Sequence, residues 1–188
     1  LGDKAAIFAT IGPMIDGGIV LSGHTDVVPV TGQTWTSDPF TLRREGSRLY
    51  GRGATDMKGS VAAFAAAAID FVRTAGKFKG SISFLITGDE EGPAINGTVK
   101  VLQWMAENGH IPDHCIVGEP SCVDTLGDTI KIGRRGSLSF TVTVEGKQGH
   151  AAYPHKADNP IPKLARFIDR ISAATVDEGN QHFDPSTL

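Results

Sequence analysis

Ile82-Ser-Phe-Leu-Ile-Thr87, followed at once by Gly88-Asp89-Glu90-Glu91-Gly92, is the stretch on which the reading of this chain turns. A short β-branched run bounded by glycine reads as a buried strand, and this one ends in three consecutive acids. Outward from it the same design recurs. Gly18-Ile-Val-Leu-Ser22 precedes Gly23 and His24, and Cys115-Ile-Val117 precedes Gly118 and Glu119. Between these runs lie two stretches of helical length. Residues 57–75 are apolar on nearly all sides, with Thr55 or Asp56 as N-cap and Gly76 as the stop. Residues 95–108 form the second, closed by Gly109 and then Pro112. Strand, helix, strand, helix, strand predicts an α/β domain whose mostly parallel sheet is flanked by helices. In such sheets ligands sit beyond the carboxyl ends of the strands. Three strands here each carry Gly plus a metal-capable side chain at that end.

Past residue 132 the pattern changes. Residues 137–145 (Ser-Leu-Ser-Phe-Thr-Val-Thr-Val-Glu) alternate strictly, which predicts a half-exposed strand of an antiparallel sheet. Residues 159–173 then read as an amphipathic helix, so a second, α+β domain is expected to begin near 133–136. The whole chain has 188 residues, 40% hydrophobic and 21% charged, with a net charge of −3. That length suits one domain, or one domain plus part of another. No apolar run approaches the roughly 20 residues of a membrane helix; the most hydrophobic, 61–72, is broken by Asp70. The first residues show no signal-peptide pattern. Cys115 and Cys122 could pair, but so few cysteines read as reduced and cytoplasmic. The acidic balance, with no basic stripe beyond Arg134-Arg135, argues against nucleic acid as a partner. Asn96-Gly-Thr98 fits a glycosylation sequon by chance, and Trp35 and Trp104 are expected to pack.

Each polar cluster admits an ordinary reading beside a chemical one. In His24-Thr25-Asp26, residues two apart on an extended segment face the same way. Asp26 is then placed to hold the His24 imidazole in the tautomer that leaves its other nitrogen for a metal; alternatively, this is a loop histidine with a solvated neighbour. Asp56, within Gly51-Arg-Gly-Ala-Thr-Asp56-Met-Lys-Gly59, stands at a helix start, where N-capping is the plain alternative to metal binding. Gly51-x-Gly53 imitates a dinucleotide fingerprint, but Asp56 occupies the third glycine's place. The run Asp89-Glu90-Glu91 is either an acidic surface turn or a costly cluster that a cation compensates. In the second case one glutamate binds metal while its neighbour takes a proton from the activated water. Glu119-Pro120 adds a carboxylate at the same sheet edge. Imidazole and carboxylates without thiolate suit Zn²⁺, Mn²⁺ or Co²⁺ hydrolytic sites rather than a structural zinc. Neither a Gly-x-Ser-x-Gly elbow nor a His-Glu-x-x-His helix is present.

Ser22-Gly-His24-Thr-Asp26-Val-Val-Pro29, Tyr50-Gly-Arg-Gly-Ala-Thr-Asp56-Met-Lys-Gly59, Thr87-Gly-Asp-Glu90-Glu91-Gly92 and Gly118-Glu119-Pro120 together resemble the M20 family of metallo-amidohydrolases. The likeness runs in order across nearly the whole chain. Gly133-Arg134-Arg135-Gly136-Ser137 and Gln148-Gly-His150-Ala-Ala-Tyr153-Pro-His155 are similar to the branch that hydrolyses N-succinyl-LL-2,6-diaminopimelate. Residues 18–40 are instead similar to the branch that deacetylates acetylornithine. The resemblance implies two zinc ions, with cobalt or manganese as substitutes. His24 and Glu119 would each bind one in separate positions, Asp56 would bridge, and Glu91 would join the ligand set. Glu90 would shuttle the proton, and Asp26 would orient His24. Arg134, Ser137 and Tyr153 would bind the N-acyl amino acid substrate. His150 would reach into a partner's active site in a homodimer, and Asp56-Met57 matches a cis peptide.

The same resemblance implies a catalytic metal-binding domain over 1–134 and the start of a dimerisation and lid domain over 135–188. Its last metal ligand is a histidine in a returning C-terminal segment, and His110, His114, His155 and His182 lie outside that context. The chain is therefore expected to be a fragment, with one metal held well at most and little activity alone.

Overall fold

The computed structural model describes residues 5–13 and 17–188. The chain divides into two compact units, Leu1–Ile130 and Lys131–Leu188. In the first, strands β1 (Ala6–Ile11), β2 (Ile19–His24), β5 (Ile82–Thr87) and β6 (His114–Val117) form one sheet in the order β1-β5-β2-β6. A small hairpin of β3 (Arg43–Glu45) and β4 (Arg48–Tyr50) stands apart from it. Strands β2, β5 and β6 are parallel, and β1 runs antiparallel to β5. The sheet is thus mostly parallel and helix-flanked, in agreement with the expected fold class. It has one more strand than the three apolar runs predict, because β1 joins the edge of β5 through pairings from Ala6↔Thr87 to Ile11↔Ile82.

Two helices cover the sheet. Helix α1 (Gly59–Ala75) packs on β2, and α2 (Thr98–Glu107) packs on β1 and β5. Side chains alternate along a strand, so Val20 and Gly23 of β2 face opposite ways. Val20 joins Leu85, Val101 and Met105 in the core beneath α2, with Ala6 and Phe8 against it. Gly23 instead meets Met57 and Val61, at the start of α1. Trp104 and His110 stack at 5.4 Å beside Phe8, which accounts for Trp104 as a packing residue.

Helix boundaries are shorter than the sequence suggests. Residues 54–58 form a separate π-type turn in which Asp56 is non-helical (φ −111°, ψ 96°), so α1 starts at Gly59 rather than at 57. Residues 95–97 stay outside α2 because the Asp89 carboxylate takes the Asn96 N–H at 3.0 Å. The Asp56–Met57 peptide bond is cis.

In the second unit α3 (Pro160–Ser172) begins as its residues require. The Asn159 side chain accepts the Ile161 N–H, and Pro160 occupies the first turn. The strand predicted at 137–145 does not form. Alternation puts Leu138, Phe140 and Val142 on one side, but a strand exists only through backbone pairing with a neighbour. Among the described residues none is offered. Among the described residues, too, no helix is long and apolar enough to cross a membrane, and both cysteines are free thiols.

Candidate metal centre

Parallel pairing brings the chemistry together. His24 closes β2 opposite Thr87, the last residue of β5, and Ser22 pairs with Val117 of β6. Residues 88–91 and 118–119 therefore leave the sheet beside His24, at the carboxyl ends of the strands. Asp56 arrives from the turn that leads into α1.

His24 is 1% exposed and stands at the centre. Its Nδ1 lies 2.9 Å from the Asp26 carbonyl oxygen, which can only accept, so Nδ1 carries the hydrogen. In the neutral ring the Nε2 lone pair is then free for a cation. Nε2 lies 3.1 Å from Asp56 Oδ1, 3.7 Å from Glu119 Oε1 and 3.8 Å from Glu90 Oε2. Ligand atoms of His24, Glu90 and Glu119 all fall within 4.8 Å of one another, as do those of His24, Asp56 and Glu91. Two donors on one tetrahedral ion at Zn–N/O distances of about 2.0–2.2 Å are separated by about 3.4 Å. The spacings here fit that requirement, and imidazole with carboxylates is a donor set that divalent hydrolytic metals accept.

The N-cap position of α1 is Lys58 and has no side-chain cap, while Asp56 turns towards His24. The three acids divide. Asp89 is 2% exposed and points inward, whereas Glu90 and Glu91 converge on the His24 ring. Asp26 serves in two ways. Its carbonyl orients the ring, and its Oδ2 accepts the Glu91 N–H at 2.9 Å, tying β2 to the acidic run. Its other oxygen is buried without a hydrogen bond, 3.5 Å from His24 Nδ1. The carbonyl makes the closer contact to the ring.

Sequence reasoning did not single out Asp89. It holds the loop 92–97 in place, and its signal was available. Ser83, Leu85 and Thr87 alternate as buried residues of β5, and the next step of two is Asp89. Arg52 was also passed over: its guanidinium contacts Gln33 and lies 5.2 Å over the Trp35 ring, pinning the loop before β3. The remaining predicted residues lie in the second unit. Arg134 and Ser137 are in exposed, irregular chain. His150 and Tyr153 share one turn, with rings 5.8 Å apart, and the Ala152 N–H donates to His150 Nδ1. His24 is the only histidine in either metal-capable group among the described residues.

The charge pattern has a pH consequence. Burial opposes protonation of His24, but the Asp26 carbonyl and the charges of Glu90, Glu119 and Asp26 outweigh it and raise its pKa above 6.5. Burial, then Asp56 and Glu90, raises Glu91 above 4.5 against the opposing pull of His24. Both groups hold protons more tightly folded than unfolded. Their stabilisation is therefore complete below those ordinary values and lost as pH rises through the folded-state values. Chelator-treated protein should melt at falling temperature as pH rises above 4.5 and on past 6.5. Added divalent cation should cancel or invert that trend, since ligands bind metal deprotonated. Thermal melts across that range, with and without chelator, check it.

The chain matches peptidase family M20/M25/M40 over residues 20–187. The chain belongs to that family. Among curated M20 relatives, the succinyl-diaminopimelate desuccinylase of Beijerinckia indica is 60% identical over 171 residues, 90% of this chain and 45% of that protein. The protein of the same name from a Methylobacterium species is 55% identical over 189 residues, 99% of this chain and 47% of its own length. The chain thus spans less than half the length of these M20 relatives. Of solved structures, human carnosine dipeptidase 1 matches with TM-score 0.53 and 30% identity, over 62% of this chain and 26% of that one. The M20 metallo-carboxypeptidase Sso-CP2 of Sulfolobus solfataricus matches with TM-score 0.52 and 24% identity over the same shares, a likeness of fold alone.

Proposed function

We propose that this chain is part of a metal-dependent amidohydrolase that splits N-succinyl-LL-2,6-diaminopimelate into succinate and LL-diaminopimelate. The observation that carries the chemistry is the convergence of Asp56, Glu90 and Glu119 on the single buried Nε2 of His24. The succinyl specificity rests on the names of the curated relatives. His24, Asp56, Glu91 and Glu119 would hold the metal, two ions in the complete protein, with zinc favoured and cobalt or manganese as substitutes. When bound, such ions acidify water and polarise the amide carbonyl.

The protein's own groups do the rest. Glu90 takes the proton from the attacking water as the new C–O bond forms at the acyl carbon. It then delivers that proton to the departing amine nitrogen as the C–N bond breaks, leaving succinate and a free amine. Asp26 keeps His24 in the tautomer that presents Nε2. Residues 1–134 are the catalytic domain in this reading, and 135–188 begin a domain for dimerisation and closure. In the homodimer the partner subunit's His150 would polarise the scissile carbonyl, with Arg134, Ser137 and Tyr153 on substrate carboxylates. The setting is cytoplasmic, without membrane or nucleic-acid partners.

The deciding assay gives the full-length protein N-succinyl-diaminopimelate beside N-acetylornithine. Faster turnover of acetylornithine would transfer the assignment to the deacetylase branch, to which residues 18–40 are similar. An arginine fork matches a carboxylate bidentately. Arg134→Ala should therefore lower kcat/KM on the succinylated substrate about 10- to 100-fold, the worth of a charged hydrogen bond. A loss below threefold would remove Arg134 from the substrate site.

A further inference from the structure

Three of the candidate metal ligands are chain neighbours of residues that meet at one point. Gly23 precedes His24, Gly118 precedes Glu119, and Met57 follows Asp56. Met57 is 1% exposed and belongs to the largest fully buried side chains among the described residues. A Cβ placed on Gly23 would lie 3.0 Å from Met57 Cε and 2.8 Å from Val61 Cγ2. On Gly118 it would lie 3.1 Å from the same Met57 methyl, 2.8 Å from Phe64 Cε2 and 2.7 Å from Ser60 Cβ. Ordinary contacts of that kind run from 3.4 to 4 Å. The Met57 methyl is the one group that reaches into both spaces, beside Val61 at Gly23 and beside Ser60 and Phe64 at Gly118, so it bridges adjacent parallel strands and the turn before α1. Neither glycine has a positive φ, so what they provide is room rather than backbone freedom.

We propose that Met57 is a positioning residue, the pin that sets the spacing of His24, Asp56 and Glu119 and thereby tunes metal affinity. This rests on the metal-site reading above. The ligand atoms lie one residue away from the pinned point on each of three chain segments. A shift of a few tenths of an ångström at Met57 therefore reaches all three together. Close packing makes such a shift unavoidable when the methyl is removed or a methyl is added opposite it.

The test compares Met57 with Met105, a methionine that is 2% exposed in the core beneath α2 and remote from the ligands. Zinc affinity of the full-length protein is measured by competition with a chromophoric chelator, at a temperature where circular dichroism shows every variant folded. Changes to groups that hold metal ligands in place typically cost about 10- to 100-fold in affinity. Met57→Ala and Gly118→Ala should each weaken zinc binding by at least about tenfold on that scale. Met57→Leu, a swap of similar volume that folds even where Met57→Ala does not, should weaken it about threefold. Met105→Ala and Met105→Leu should lower thermal stability but leave affinity within about twofold. Wild-type affinity in Met57→Leu, whatever Gly118→Ala shows, or an equal loss in the Met105 variants, overturns the proposal. A wild-type protein that binds no zinc in this titration overturns the metal-site reading itself, and this inference with it.

Discussion

Replacing Glu90 with Gln is expected to cut kcat by about 10²- to 10⁴-fold while the protein keeps its metal. The amide is nearly isosteric with the carboxylate but cannot accept the proton of the attacking water or return it to the leaving nitrogen. Glu90 is half exposed, with its side chain 45% accessible, so the swap leaves no buried group stranded. The prediction is sharp because distance alone does not distinguish Glu90 from a ligand: Glu90 Oε2 is 3.8 Å from His24 Nε2, against 3.7 Å for Glu119 Oε1. A proton shuttle loses turnover and keeps metal; a ligand loses both. Steady-state kinetics and metal analysis on the same preparation separate the two. Turnover within tenfold of wild type would remove Glu90 as the base, and metal loss in step with activity would make it a ligand.

The other large effect belongs to His24→Ala. Among the described residues His24 is the one common to both metal-capable groups, so its removal should strip both, whereas Glu91→Ala touches only the group with Asp56. Metal-assisted activation is worth several kcal/mol, which corresponds to a fall of about 10³-fold or more in kcat/KM. The substitution should also cost about 1–3 kcal/mol of stability, because the Asp26 carbonyl loses its donor within the protein. Elemental analysis, kinetics and a denaturant titration read the three consequences separately. Retention of metal at wild-type stoichiometry in His24→Ala would place the site elsewhere.

Much of this was legible without coordinates, for identifiable reasons. The run Ile82–Thr87 has the same bounds in sequence and in structure, since a short, mostly apolar and β-branched run with glycines close to both ends has few other ways to bury itself. Helix α3 was equally plain, because Asn159 and Pro160 mark its start chemically and its apolar stripe has one period. The segment 137–145 carries just as clear an alternation yet forms no strand. Its pattern describes a surface that needs a partner, and periodicity cannot supply one. Strand β1 shows the converse: its run Ala6–Ile11 gains its place from β5, through antiparallel pairing seventy-odd residues away in sequence.

Within the site, the residue types and their order along the chain determined the candidate donor set: one imidazole, carboxylates and no thiolate, with His24, Glu90, Glu91 and Glu119 at or just past strand ends and Asp56 in the turn before a helix. Tertiary structure alone decided where those atoms lie relative to one another. It turned Asp56 from a possible helix cap into a neighbour of His24, because the turn at 54–58 ends before α1 begins. It sent Asp89 inward while Glu90 and Glu91 converge on His24, and it gave the Asp26 carbonyl, rather than its carboxylate, the closer hold on the ring. It also placed Met57 between Gly23 and Gly118. The physical reason is that donor chemistry is a property of single residues. Their spacing to a few tenths of an ångström comes from packing between segments that are distant in the chain.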